Sequence, residues 1–86
     1  MTLWFENCQG IRRQICDCKD WSEVNRSIDE FIAQANSHKP PEKAFKRYYT
    51  RTWEEDGMTK IDVGSRNEFF WIDNLIDNEI TDKNGA

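Results

Sequence analysis

Tyr48-Tyr49-Thr50-Arg51-Thr52-Trp53-Glu54-Glu55-Asp56-Gly57, answered by Thr59-Lys60-Ile61-Asp62-Val63-Gly64-Ser65, decides how this chain folds. Two runs rich in aromatic and β-branched residues flank an Asp-Gly pair, the pattern of a β-hairpin. Extended back to Phe45, the first run alternates. Phe45, Arg47, Tyr49, Arg51 and Trp53 share one face, and Lys46, Tyr48, Thr50, Thr52 and Glu54 the other. Two registers are open. A two-residue Asp56-Gly57 turn puts Ile61 and Val63 on the Thr50/Thr52 face. A three-residue Glu55-Asp56-Gly57 loop, with Gly57 in the left-handed bulge position, puts them with Tyr49 and Trp53. A slip of one residue turns every side chain over, so the hydrophobic pattern can choose. It favours the longer loop, which gathers Phe45, Tyr49, Trp53, Ile61 and Val63 and leaves Thr50, Thr52, Lys60 and Asp62 in water.

Upstream, Trp21, Val24, Ile28, Phe31, Ile32 and Ala35 recur at helical spacing and form one apolar stripe, predicting a helix from Trp21 to Asn36. Asp20, with Glu23 three residues on, is its N-cap, and Ser22 is an alternative cap. Pro40-Pro41 stops it. Leu3 to Gln9 and Ile11 to Cys18 read as strands that turn near Asn7-Cys8-Gln9-Gly10, with Leu3 and Phe5 sharing a face of the first and Ile11 and Ile15 a face of the second. Beyond Gly64-Ser65, Phe69-Phe70-Trp71-Ile72 is too short to type by period. Its aromatic content favours a strand from Glu68 to Ile72. A capping box at Ser65-x-x-Glu68 offers instead a helix through Leu75 and Ile76. The expectation is an α+β fold, a small antiparallel sheet of four or five strands with one helix on one face (ββαββ). Residues 1–72 form the domain and 73–86 an acidic tail.

Eighty-six residues suffice for one thin core. The formal charge of −4 is unevenly spread. Lys39, Lys43, Lys46, Arg47 and Arg51 face Glu42 alone between positions 39 and 51, whereas acids dominate from Glu54 onward. The net sign argues against a general nucleic-acid binder, which needs a basic patch to displace phosphate counterions. No apolar run approaches the ~18 residues of a membrane span. Met1 to Glu6 lacks the basic start and apolar centre of a signal peptide, so the expected location is the cytoplasm. The odd cysteine count, Cys8, Cys16 and Cys18, favours free thiols. Cys16 and Cys18 on a strand would stand ~6–7 Å apart on one face, and zinc would need a further ligand, with a dimer as one source. His38 lacks a Ser or Cys partner, Glu54-Glu55-Asp56 belongs to a turn, and no glycine-rich phosphate loop occurs. No catalytic residue, metal site or cofactor is expected.

Recognition is the remaining role. Arg47 and Arg51 on an aromatic face must pair with an acid such as Asp29, stack on Tyr49 or Trp53, or bind an anion. Phe69-Phe70-Trp71 supplies many rings for one face of a thin sheet, so some of them can mark an interface or a homodimer contact. Arg66 sits on a polar corner after Gly64. The acidic end reads as a solvated tail or as a carboxylate array imitating DNA phosphates.

Tyr49-x-Arg51-x-Trp53, then Asp56-Gly57, then Asp62-Val63-Gly64-Ser65-x-x-Glu68-Phe69-Phe70, resembles small uncharacterised proteins of phages and prophages of Gram-positive bacteria. The likeness covers about residues 48 to 72 and departs at Arg66-Asn67, where relatives carry His-Thr. It implies no activity. It implies a setting in the host cell, in which small accessory proteins bind one host or defence protein to redirect or inhibit it. Tyr49, Arg51, Trp53 and Arg66 are the expected contacts with a host or phage protein. The alternatives are a nucleic-acid-associated protein using Lys43, Lys46, Arg47 and Arg51, and a self-assembling structural subunit.

Overall fold

The computed structural model describes residues 1–73. In chain order the elements are β1 (Thr2–Glu6), β2 (Arg12–Asp17), helix α1 (Trp21–Asn36), a short 3-10 turn (Pro41–Lys43), β3 (Arg51–Glu55), β4 (Met58–Asp62) and β5 (Phe69–Asp73). All five strands join one antiparallel sheet in the order β2-β1-β5-β4-β3. The α+β expectation therefore holds with five strands. The Phe69–Ile72 run is strand, not helix. The expected tail falls outside the described residues, save for Asp73, which closes β5.

The β1–β2 connection is built by one asparagine. Asn7 Oδ1 accepts from the N–H groups of Gln9 (2.9 Å) and Ile11 (3.0 Å). Gly10 supplies the left-handed residue at φ 81°. Leu3 pairs with Cys16 but Trp4 with Gln14, so Ile15 is an extra residue in β2. Ile11 lies outside the strand and is exposed.

α1 starts at Asp20, whose Oδ1 accepts from Glu23 N at 2.9 Å, while Glu23 Oε1 accepts from Lys19 N at 2.9 Å. Val24, Ile28 and Ile32 are its buried stripe. They meet Leu3, Phe5, Ile61, Phe70 and Ile72 from the sheet and Val63 just past β4. Phe31 packs at 4.5 Å from Phe5 and edge-on at 5.6 Å from Phe70. Trp21, the first residue of the stripe, remains exposed.

Two corrections concern the hairpin. Phe45 to Thr50 is not strand; β3 begins at Arg51. Phe45 is buried and held by a side-chain clamp instead. Its N–H donates to Asn36 Oδ1 and its carbonyl accepts from Asn36 Nδ2, both at 2.7 Å. The loop is also the shorter one, because Glu55 pairs with Met58 and Asp56-Gly57 form the turn. Both turn residues are left-handed, Asp56 at φ 57° and Gly57 at φ 78°. That is a type I′ turn, whose twist matches that of the flanking strands. Thr52 then pairs with Ile61 and Arg51 with Asp62. Ile61 joins the helix-side core, while Tyr49 and Trp53 fall outside it.

The turn geometry sets a test. Gly57→Ala forces a Cβ into left-handed backbone and is expected to cost about 1–2 kcal/mol. Asp56→Asn, favoured in type I′ turns, is expected to leave stability unchanged or higher. Urea melts read both. Equal midpoints for wild type and Gly57→Ala would contradict the turn.

Candidate functional site

The register carries one row of side chains across the sheet face that points away from α1. Gln14, Trp4, Trp71, Lys60 and Trp53 are successive partners from β2 to β3. Trp71 lies at its centre, 1% exposed yet outside the helix-side core. The Arg12 guanidinium covers its ring at 3.8 Å, and its Nε1 donates to Glu6 Oε1 at 2.9 Å. Glu6 Oε1 also accepts from Arg12 Nε at 3.0 Å. The Lys60 ammonium sits among rings, 4.1 Å from Phe69, 5.0 Å from Trp71 and 5.9 Å from Trp53. Its near acid is Glu55 at 3.7 Å, which also accepts from Trp53 Nε1 at 3.0 Å. The Trp4 indole N–H is buried on this face with no hydrogen-bond partner among the described residues.

At the open end of this face lie Tyr49, Arg51 and Trp53. Arg51 Nη2 donates to Asp62 Oδ2 at 2.7 Å. Its guanidinium lies 5.1 Å from the Tyr49 ring and 6.0 Å from the Trp53 ring. Asp62 is the anchor, with a side chain only 6% exposed. Its Oδ1 accepts from Gly64 N at 2.9 Å and its Oδ2 also from the Tyr49 hydroxyl at 3.4 Å. Burial pushes the Asp62 carboxyl up, but the hydrogen bonds from Arg51 and Gly64 and the charge of Arg51 outweigh it. The group is held below the ordinary carboxylate range. Arg51 remains 65% exposed, a cation fixed on its inner side and open on its outer side.

The other expected contacts separate. Arg66 is exposed on the corner after Ser65, and among the described residues no hydrogen bond, ion pair or ring contact joins it to the strip. Arg47 is not on the aromatic face; it reaches the helix. It pairs with Asp29 Oδ1 at 2.7 Å, donates to Asn25, and its Nη2 meets Thr50 Oγ1 at 2.7 Å. Sequence reasoning missed Asp62, Lys60 and Glu55 as organisers of the strip. The signal was present, since the Asp-Gly turn read as type I′ pairs Arg51 with Asp62 and Trp53 with Lys60.

The thiols are unbridged. Cys16 and Cys18 stand closer than a regular strand allows, 3.8 Å between sulfurs, because β2 ends at Asp17 and both thiols converge on the Ser27 hydroxyl at 3.5 and 3.8 Å. Burial raises the Cys18 thiol above its ordinary value, partly opposed by the hydrogen bond with Ser27. Among the described residues no three His, Cys, Asp or Glu side chains gather as a metal site. No helix among them is long and apolar enough to cross a membrane. No family model matches the chain, and neither a curated protein nor a solved structure shows significant similarity to it.

Asp62 predicts a pH dependence. Its folded pKa lies below the unfolded value of ~3.9, so its contribution is complete above that value and is lost as pH falls through the folded one. Asp62→Asn should flatten this acid limb in melts from pH 6 to ~2 and, by leaving Gly64 N–H without its carboxylate, cost about 1–3 kcal/mol at neutral pH. An unchanged acid limb would show that Asp62 is not the group responsible.

The thiols predict an order of reactivity. Exposed Cys8 should react first with an aromatic disulfide reagent and buried Cys18 last, with all three reacting in denaturant. A single reactive thiol in denaturant would instead mean a Cys16–Cys18 disulfide.

Proposed function

We propose that this protein works by binding a protein partner through the Tyr49–Arg51–Trp53 strip. The observation that carries this reading is Arg51 itself. Asp62 fixes one side of the guanidinium, two rings flank it, and its outer side stays in water. Tyr, Trp and Arg are the residue types that dominate interface hot spots. A strip already ordered in the free protein loses little side-chain entropy on binding. The likeness of residues 48 to 72 to small phage and prophage proteins supports a host or defence protein as the partner, held or inhibited by occupation of its surface. Arg66 is a peripheral candidate in this reading. Nucleic acid is less favoured, because Arg47 is engaged by Asp29 and Arg51 by Asp62, which leaves lysines to meet phosphate.

Arg51→Ala is a poor probe, since it removes the counter-charge of a buried carboxylate. Trp53→Ala and Arg51→Lys are better, and Arg26→Ala, an exposed helix arginine, is the control. In capture from nuclease-treated Gram-positive host lysate, wild type and Arg26→Ala should enrich the same protein. Its purified form should bind Trp53→Ala and Arg51→Lys at least tenfold more weakly, with melting midpoints reported alongside. Equal affinity of all four proteins would refute the strip.

A further inference from the structure

We infer that the cleft between the Pro41–Lys43 turn and the Gly64–Glu68 corner binds a phosphate monoester whose organic part lies against Tyr48. The cleft has a volume of about 210 Å³, and Lys39, Lys43, Lys46, Tyr48, Ser65 and Glu68 contribute to its lining. That is smaller than the ~300–1,000 Å³ of drug-sized sites, and suits a phosphoryl group with part of what carries it.

Charge points to an anion. None of the three lysines forms an ion pair among the described residues. Glu68 is the carboxylate in the lining, and its Oε1 already accepts from the Ser65 hydroxyl at 3.3 Å. Three lysines against one glutamate in the lining give the cleft a positive balance on a protein whose formal charge is −4. Clustered like charges in a concavity focus the local field toward an anion.

The walls are fixed by hydrogen bonds and a close backbone approach. The Asn36 clamp holds Phe45, and Tyr48 N donates to Val63 O at 2.9 Å. Gly64 adopts φ +107°, and a Cβ there would come within 2.9 Å of Tyr48 Cδ2. The backbone thus leaves room for a ring that is 70% exposed and adds little to the core. Such a ring is a flat wall for the ligand. Tyr48 lines this cleft whereas its neighbour Tyr49 belongs to the strip, so the two sites stand or fall separately.

Two-dimensional ¹⁵N–¹H spectra of the full chain test the site. Inorganic phosphate, adenosine monophosphate, phosphotyrosine, adenosine and sodium chloride are titrated at matched ionic strength. Phosphate should give saturable shifts at Lys46, Gly64 and Ser65, and one of the ring-bearing esters should saturate at severalfold lower concentration, naming a nucleotide or a phosphorylated side chain as the source. Adenosine should give none. Lys43→Gln combined with Lys46→Gln should weaken binding at least tenfold, while Tyr48→Ala should retain phosphate and lose the advantage of the ester. Linear shifts shared with chloride, or an unchanged lysine double variant, would overturn the site. Esters no tighter than phosphate would overturn the part assigned to Tyr48.

Discussion

A strand in the middle of a sheet is covered on both sides or it is wet, and here a single helix covers one side. β5 is that strand, flanked by β1 and β4. Phe70 and Ile72 meet the helix-side core. Trp71 points the other way and is nonetheless buried, which requires a second cover. The chain builds it from long cationic side chains, whose stems lie on apolar surface while their charges find rings and acids. Arg12 over the indole, Lys60 among three rings, and Glu6 on the indole N–H are the consequence.

The strip proposed to bind a partner is an outgrowth of that cover. Cations already lie among rings on the far face, and at β3 this arrangement reaches the sheet edge, where Tyr49, Arg51 and Trp53 are accessible. Asp62 differs from the other acids of the face in being almost wholly buried, and that decides the posture of Arg51. Stability and the proposed binding role are therefore coupled at this point. Changes to Asp62 alter both, while changes to Trp53 act mainly on the accessible side.

The parts of the fold that rest on local chemistry were legible. The helix followed from the spacing of Val24, Ile28 and Ile32, and its start from Asp20. The pairing of Arg47 with Asp29 was among the outcomes expected for a guanidinium beside a helix. The hairpin register was misread for a physical reason. The hydrophobic pattern gathers Phe45, Tyr49 and Trp53 with Ile61 and Val63 on one face, whereas the sheet sustains an aromatic layer on each face. The turn chemistry of Asp56-Gly57 was the better guide, because positive φ at both positions fixes the pairing without reference to hydrophobicity. The strand extent before Arg51 was misjudged because alternation persists from Phe45, while Asn36 intercepts the backbone groups of Phe45 that a ladder would use. The strand order, and with it the company kept by Trp71, follows from contacts between distant segments that no local pattern encodes.

The insertion of β5 between β1 and β4 also shapes how the molecule reaches its folded state. Leu3 pairs with Ile72 and Glu6 with Phe69, so the centre of the sheet closes across nearly the whole described chain. The β1–β2 and β3–β4 ribbons are local in sequence, but a lone two-stranded ribbon is marginal in water. The entropy of bringing residues 3–6 to residues 69–72 must be met before their contacts reward it, which slows folding relative to a helical domain of this size. During synthesis both ribbons wait with an unfilled inner edge until Phe69–Asp73 leaves the ribosome. In that interval β1 and β4 can pair with the wrong strand or with another nascent copy.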